Sequence, residues 1–292
     1  MLPFRGLFGN SRAVRRLVQP WMAGLFRRSP AADGWQGGAA RGLVVVGHGT
    51  ADPVGAEETR QIARLVAERL PGVAVELGFL EVIGPSIGDA LQRLAARGCR
   101  EVVAAPLLLF TAGHARRDVP EAVRDGAAKA GLSVAQAEAL GCHPDLLTLT
   151  SRRRLEALAA VAAVPDEQTV LLMIGRGSSD PTAGQQLHDF ALATSPTQSR
   201  LELGFVAAAR PTLAEGVANA AAESDTNALP VRRVLVQPHL LFRGHVEEQV
   251  TAAVEAGRRQ YPGIEWVQVQ RLGADPLVAQ ALIDRAAALK GF

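Results

Sequence analysis

Four landmarks of this chain occur twice in the same order, and that duplication restricts the fold more than any other feature. VVVGHGTADP at 44–53 returns as LMIGRGSSDP at 172–181, and ELGF at 76–79 as ELGF at 202–205. AAPLLLFTAGH at 104–114 returns as VQPHLLFRGH at 236–245, and ALGCHPDLL at 139–147 as RLGADPLV at 271–278. The offsets are 128, 126, 132 and 132 residues. Offsets this steady mark one structural unit written twice. The expected units are 42–150 and 168–292, joined by a helix and linker at 151–167.

Each unit alternates short apolar runs with helical periods, the pattern of βαβ connections and a parallel sheet. In the first, LVVV (43–46), VAVELGFL (73–80), EVVAAPLLLF (101–110) and LSVAQAEAL (132–140) read as strands. Between the first two, Ile62, Leu65, Val66 and Leu70 fall on one helical face. Asp52-Pro53 and Asp180-Pro181 read as an N-cap followed by a first helical residue. The expected class is α/β: two tandem pseudo-repeated domains, each a small parallel β-sheet flanked by helices. In such sheets ligands bind beyond the carboxyl ends of the strands.

Composition removes several functions. The 292 residues carry a net charge of only +2, which argues against a nucleic-acid-coating protein. Cys99 and Cys142 have no CxxC spacing, so neither a disulfide framework nor a zinc finger is expected, and the usage fits a reducing, cytoplasmic compartment. No run of 18 apolar residues suggests an integral membrane segment. Residues 1–41 differ from the rest: six arginines (Arg5, Arg12, Arg15, Arg16, Arg27, Arg28) precede the first acid, Asp33. A basic disordered extension is expected there, with a transit peptide or membrane-surface helix as the alternative.

After the first strand, a dinucleotide fingerprint would need a third glycine where Asp52 stands, so a Rossmann cofactor site is not expected. What remains is Gly47-His48-Gly49, then Glu81 after GFL, then His114 after PLLLFTAG with Gly113 before it. All three side chains follow predicted strands and can converge. Two imidazoles and a carboxylate make an open site for a divalent transition metal. A histidine in a glycine turn also serves as a hydrogen-bonding loop residue, and a glutamate ending a strand as a solvated one. The repeat bears on the choice: His48 is matched by Arg176 and Glu81 by Ala207, while His114 keeps a counterpart in His245. A trio needed for folding would stand in both copies. His143 reads as a helix cap, and His188 and His239 as isolated structural or surface residues.

These residues resemble the class II chelatases that insert a divalent metal into sirohydrochlorin, the CbiX and SirB type, in a long form with two fused halves. The resemblance rests on GHG at 47–49, GFLE at 78–81, and P-x-L-x(5)-GH at 106–114 followed by DVP at 118–120. It implies that His48 and His114 hold the metal and accept protons with Glu81 assisting, and that the product serves cobalamin or siroheme biosynthesis. Cobalt is favoured by family frequency, ferrous iron next, with nickel also fitting the donors. The metal is then a substrate, and no tightly bound cofactor is expected. The partner is a small tetrapyrrole rich in carboxylates. Arg116, Arg117, Arg176, Arg210 and Arg243 stand beside the motifs as candidates to bind them, with Gly47, Gly113 and His245 as further substrate contacts. Each arginine has an ordinary solvated surface as its alternative. An internal duplication supplies both walls of a cleft, so a monomer is expected.

Two other readings stand beside the chelatase. One is a non-catalytic tetrapyrrole or metal carrier. The other is a hydrolase using His48 on phosphate, which lacks both an arginine before His48, where Val46-Gly47 stand, and a G-x-S-x-G elbow.

Overall fold

The computed structural model describes residues 40–110, 116–196, 199–223 and 229–289. The basic segment read at 1–41 therefore falls almost wholly outside the described residues, as do Gly113 and His114. The first half runs β1 (Arg41–Gly47), α1 (Pro53–Arg69), β2 (Ala74–Phe79), α2 (Ile87–Ala96), β3 (Glu101–Pro106), α3 (Asp118–Ala130), β4 (Ser133–Gln136) and α4 (Pro144–Leu158). The second repeats it: β5 (Thr169–Gly175), α5 (Pro181–Thr194), β6 (Arg200–Phe205), α6 (Leu213–Ala221), β7 (Arg233–Pro238), α7 (His245–Gln260), β8 (Glu265–Gln268) and α8 (Pro276–Ala287). Each half forms a parallel four-stranded sheet, ordered β2-β1-β3-β4 and β6-β5-β7-β8. This is the expected α/β architecture.

The central strands β1 and β5 are buried almost end to end, as continuous apolar runs must be when helices cover both faces. Asp52 caps α1, its Oδ1 accepting from Val54 N and Gly55 N at 2.9 Å, and Asp180 caps α5 through Thr182 N at 3.0 Å. Strands β3 and β4 are shorter than their apolar runs suggest. Pro106 closes β3, where proline has no N–H for the ladder. The chain beyond it still pairs irregularly, Leu140 N donating to Leu108 O at 2.9 Å and Gly141 N to Leu109 O at 2.8 Å.

The two halves exchange their last helices. α2 and α3 cover the outer face of the first sheet, and α6 and α7 that of the second. On the inner faces α8 packs on α1 and β3 of the first half, while α4 packs on α5 and β8 of the second. α4 starts at Pro144, capped by His143, whose Nδ1 accepts from Asp145 N at 3.2 Å. One continuous core results, in which Leu43, Ile62 and Val103 join Phe190, Phe205, Leu282 and Ala286.

A buried polar link fastens the exchange. Arg154 of α4 donates to Gln237 Oε1 of β7, from Nε at 3.0 Å and from Nη2 at 2.9 Å, and also to Thr194 O at the end of α5. Gln237 returns a bond from Nε2 to Thr150 O at 2.9 Å. Burial lowers the Arg154 pKa to about 10, which still leaves the guanidinium charged at neutral pH.

Candidate functional site

The turn that carries His48 is set by its second glycine. Gly49 has φ +100°, and a Cβ there would lie 1.9 Å from Glu81 O. Glycine alone meets both demands. The close approach presses the exit of β1 against the exit of β2, where Leu80 N donates to Gly47 O at 2.9 Å and Glu81 N to His48 O at 3.1 Å. The side chains follow the backbone: His48 Nε2 lies 3.2 Å from Glu81 Oε1, with the imidazole 40 % and the carboxylate 57 % exposed.

The second half repeats this frame with other side chains. Gly177 has φ +88° and a Cβ position 1.8 Å from Ala207 O. Val206 N donates to Gly175 O at 3.1 Å and Ala207 N to Arg176 O at 2.9 Å. Arg176 thus stands where His48 stands, and Ala207 where Glu81 stands. The residue after each also keeps a left-handed backbone, Val82 at φ 69° and Ala208 at φ 52°. The frame belongs to the scaffold, and the imidazole and carboxylate belong to one half.

Both frames open on one cleft of about 890 Å³ between the halves. His48 and Glu81 line it from the first half, and Gly175, Arg176 and Gly177 from the second. Leu107 to Phe110 and Leu240 to Phe242 add apolar wall. His114 and Gly113 lie outside the described residues, so the third candidate ligand is placed only by its distance along the chain from Phe110.

The candidate arginines divide into two groups. Arg117 and Arg176 line the cleft, and neither meets an acid among the described residues. Arg243 lines it too, but its Nε is 3.3 Å from Asp52 Oδ2 and its N–H donates to Glu58 Oε2 at 2.9 Å. Arg116 stands 3.4 Å from Asp180 Oδ2. The loop after β7 therefore reaches the cap of α1, and the segment leading into α3 reaches the cap of α5. A Cβ on Gly55 would come 2.2 Å from Arg243 O, which shows how tightly the halves meet. Arg271 adds a further clamp, bonding Glu58 of α1 and Glu247 of α7. Arg210 pairs with Glu215 at the start of α6 and lines a smaller pocket beside the cleft, with Ser178, Ser179 and Phe205 common to both.

His245 opens α7, is 80 % exposed, and bonds Gln249 instead of facing the cleft. His188 is half-buried beside Asp189. His239, read from sequence as isolated, is a buried residue of the cleft wall. Its ring packs against Phe190 and Phe110, with centroids 4.1 Å and 5.1 Å away. The signal for it was in the repeat, where PHLLF at 238–242 answers PLLLF at 106–110 and an imidazole replaces Leu107.

No helix among the described residues is long and apolar enough to cross a membrane.

The chain is similar to known proteins along most of its length. A sirohydrochlorin cobaltochelatase of Priestia megaterium is 26% identical over 249 residues, covering 84% of this chain and 79% of the relative. A sirohydrochlorin ferrochelatase of the same organism is 26% identical over 216 residues, covering 73% and 77%. The structure of SirB from Bacillus subtilis with Fe3+ superposes with a TM-score of 0.72 at 23% identity, covering 85% of this chain and 96% of that one. The CbiX family model matches residues 42–157 and again 170–289. With both halves matched, the chain belongs to the CbiX family.

Proposed function

We propose that this chain inserts a divalent metal, cobalt or ferrous iron, into sirohydrochlorin. The observation that carries the reading is the His48–Glu81 pair, 3.2 Å apart at the mouth of a cleft whose other half holds Arg176 and Ala207 at the same two positions. The relatives in both activities support it.

Insertion exchanges two pyrrole N–H protons for one M2+. The chain must therefore hold the metal loosely, seat the macrocycle and accept protons. His48 and Glu81, joined by His114 four residues beyond Phe110 in the sequence, would supply an imidazole–carboxylate–imidazole set that leaves metal positions open to the incoming nitrogens. An incomplete protein ligand set favours delivery over retention. Histidine exchanges protons near neutral pH, so the same side chains can take up the pyrrole protons as nitrogen replaces them on the metal. Arg117 and Arg176, in the cleft, would face the substrate carboxylates, since guanidinium pairs well with them. One chain supplies both walls, which favours a working monomer.

The test is turnover of sirohydrochlorin with Co2+, Fe2+ and Ni2+ in parallel, followed by absorbance. Metallated product beyond one equivalent of protein is expected. Product stopping at one equivalent would make the chain a carrier.

A further inference from the structure

The bend that follows Glu81 is more strained than its counterpart in the second half. Val82 has φ 69°, and across it Ile83 N donates to Glu81 O at 2.8 Å. A bond that skips one residue of this φ makes a γ-turn of the rare, strained kind. Valine suits that place poorly, because a β-branched side chain crowds the backbone at positive φ. Packing returns little, since the side chain is 63 % exposed. Glycine would take the same φ without strain.

The second half keeps the bend without the tightening. Ala208 has φ 52°, and among the described residues no bond joins Ala209 N to Ala207 O. The scaffold therefore does not require the γ-turn, which stands beside Glu81 and not beside Ala207. Strain of this kind persists only where surrounding contacts hold it, and it gathers at functional sites. Here Glu81 N donates to His48 O at 3.1 Å, and Glu81 O lies 1.9 Å from where a Cβ on Gly49 would stand. The backbone of Glu81 is thus tied at one end to the His48 turn and at the other across Val82. Its carboxylate is 57 % exposed, and its ionic partner among the described residues is His48. The backbone, rather than packing, sets where that carboxylate points.

We propose that Val82 is a positioning residue for Glu81. Its β-branched side chain confines the turn to one narrow backbone well and so holds the Glu81 carboxylate beside His48, ready for the metal. Glycine at 82 would relieve the strain and widen the range of directions open to Glu81. Stability and metal affinity then move in opposite directions, which a merely structural residue would not produce. This rests on the metal site of the chelatase reading above.

The test is Co2+ titration of the full chain, alongside chemical denaturation without metal and steady-state metallation of sirohydrochlorin. The variants are Val82→Gly and Val82→Ala, the second being the residue the scaffold carries at position 208. Val82→Gly is expected to raise the denaturation midpoint and to weaken Co2+ binding about 10-fold, as for loss of a group that orients a metal ligand. Its KM for sirohydrochlorin stays unchanged, and Val82→Ala falls between it and the wild type in Co2+ affinity. In a Glu81→Gln background Val82→Gly has no further effect on Co2+ affinity, because residues that act through one group are not additive. Wild-type Co2+ affinity in Val82→Gly overturns the proposal while leaving the chelatase reading in place. A lowered midpoint overturns it too, by showing that Val82 is not strained, as does an equal loss of affinity in the Glu81→Gln background. Wild-type protein that binds Co2+ through Glu81 but never metallates sirohydrochlorin removes the chelatase reading and leaves the positioning role. Wild-type protein that does not bind Co2+ removes both.

Discussion

His48 and Glu81 come within 3.2 Å of each other because β1 and β2 pair in parallel register up to Gly47 opposite Phe79, so both chains leave the sheet at the same level. Arg176 and Ala207 leave β5 and β6 at the equivalent level, where Gly175 stands opposite Phe205. Two matching frames with different side chains separate the demands of folding from the demands of chemistry.

Glu81→Gln keeps the side chain's shape and removes its charge. Metal affinity, measured by titration with Co2+, should fall by about 10-fold or more, in line with losses from altered metal sites. His245→Ala, at an exposed side chain outside the cleft, should bind Co2+ and turn over as the wild type does.

Gly49→Ala and Gly177→Ala should be similarly destabilising. Both glycines have positive φ, and in both a Cβ would overlap a carbonyl oxygen, so each should cost at least about 2 kcal/mol in chemical denaturation. Only Gly49→Ala should also abolish Co2+ binding, because only that turn carries His48.

Arg154→Ala leaves Gln237 Oε1 and Thr194 O without their buried donor. An unsatisfied buried acceptor costs about 1–3 kcal/mol, so the melting temperature should fall by several degrees. Arg152→Ala should cost less. Its partner Asp275 also faces Arg153 Nη2 at 3.4 Å.

His239 gives the fold an acid sensitivity of defined sign. Its folded pKa of about 3 lies below the ordinary value of 6.5, so between those values the unfolded chain binds a proton that the folded chain does not. Stability must then fall as pH drops from 6.5 towards 3, at up to about 1.4 kcal/mol per pH unit from this one group. His239→Leu should remove that share of the slope in denaturant melts across the range. It should also be more stable than the wild type at pH 7, since it removes two unpartnered buried nitrogens.

Much of the frame was legible in the sequence because it is local. Asp52 and Asp180 precede proline at helix starts, and a capping side chain acts on the next few residues. The apolar runs gave the central strands, and the repeat gave the contrast at His48 and Glu81. What was not legible depends on contacts between the halves. Amphipathic helices such as α4 and α8 fit either sheet equally well by pattern, so their exchange had no signal. Arg116 and Arg243 read as carboxylate binders because Asp180 and Asp52 lie in the other repeat. His239 read as isolated because Phe190 and Phe110 come from remote parts of the chain. The end of β3 was missed because Leu107 to Phe110 line the cleft, and that of β4 because Ala137 and Leu140 belong to the shared core.

The most direct measurement compares wild-type protein with His48→Ala in metallation of sirohydrochlorin under excess Co2+, followed by absorbance over many equivalents. Repeated turnover is expected of the wild type and a loss of at least about 100-fold of the variant, as for removal of a metal-holding, proton-accepting group, with circular dichroism unchanged. Undiminished turnover by His48→Ala would contradict it.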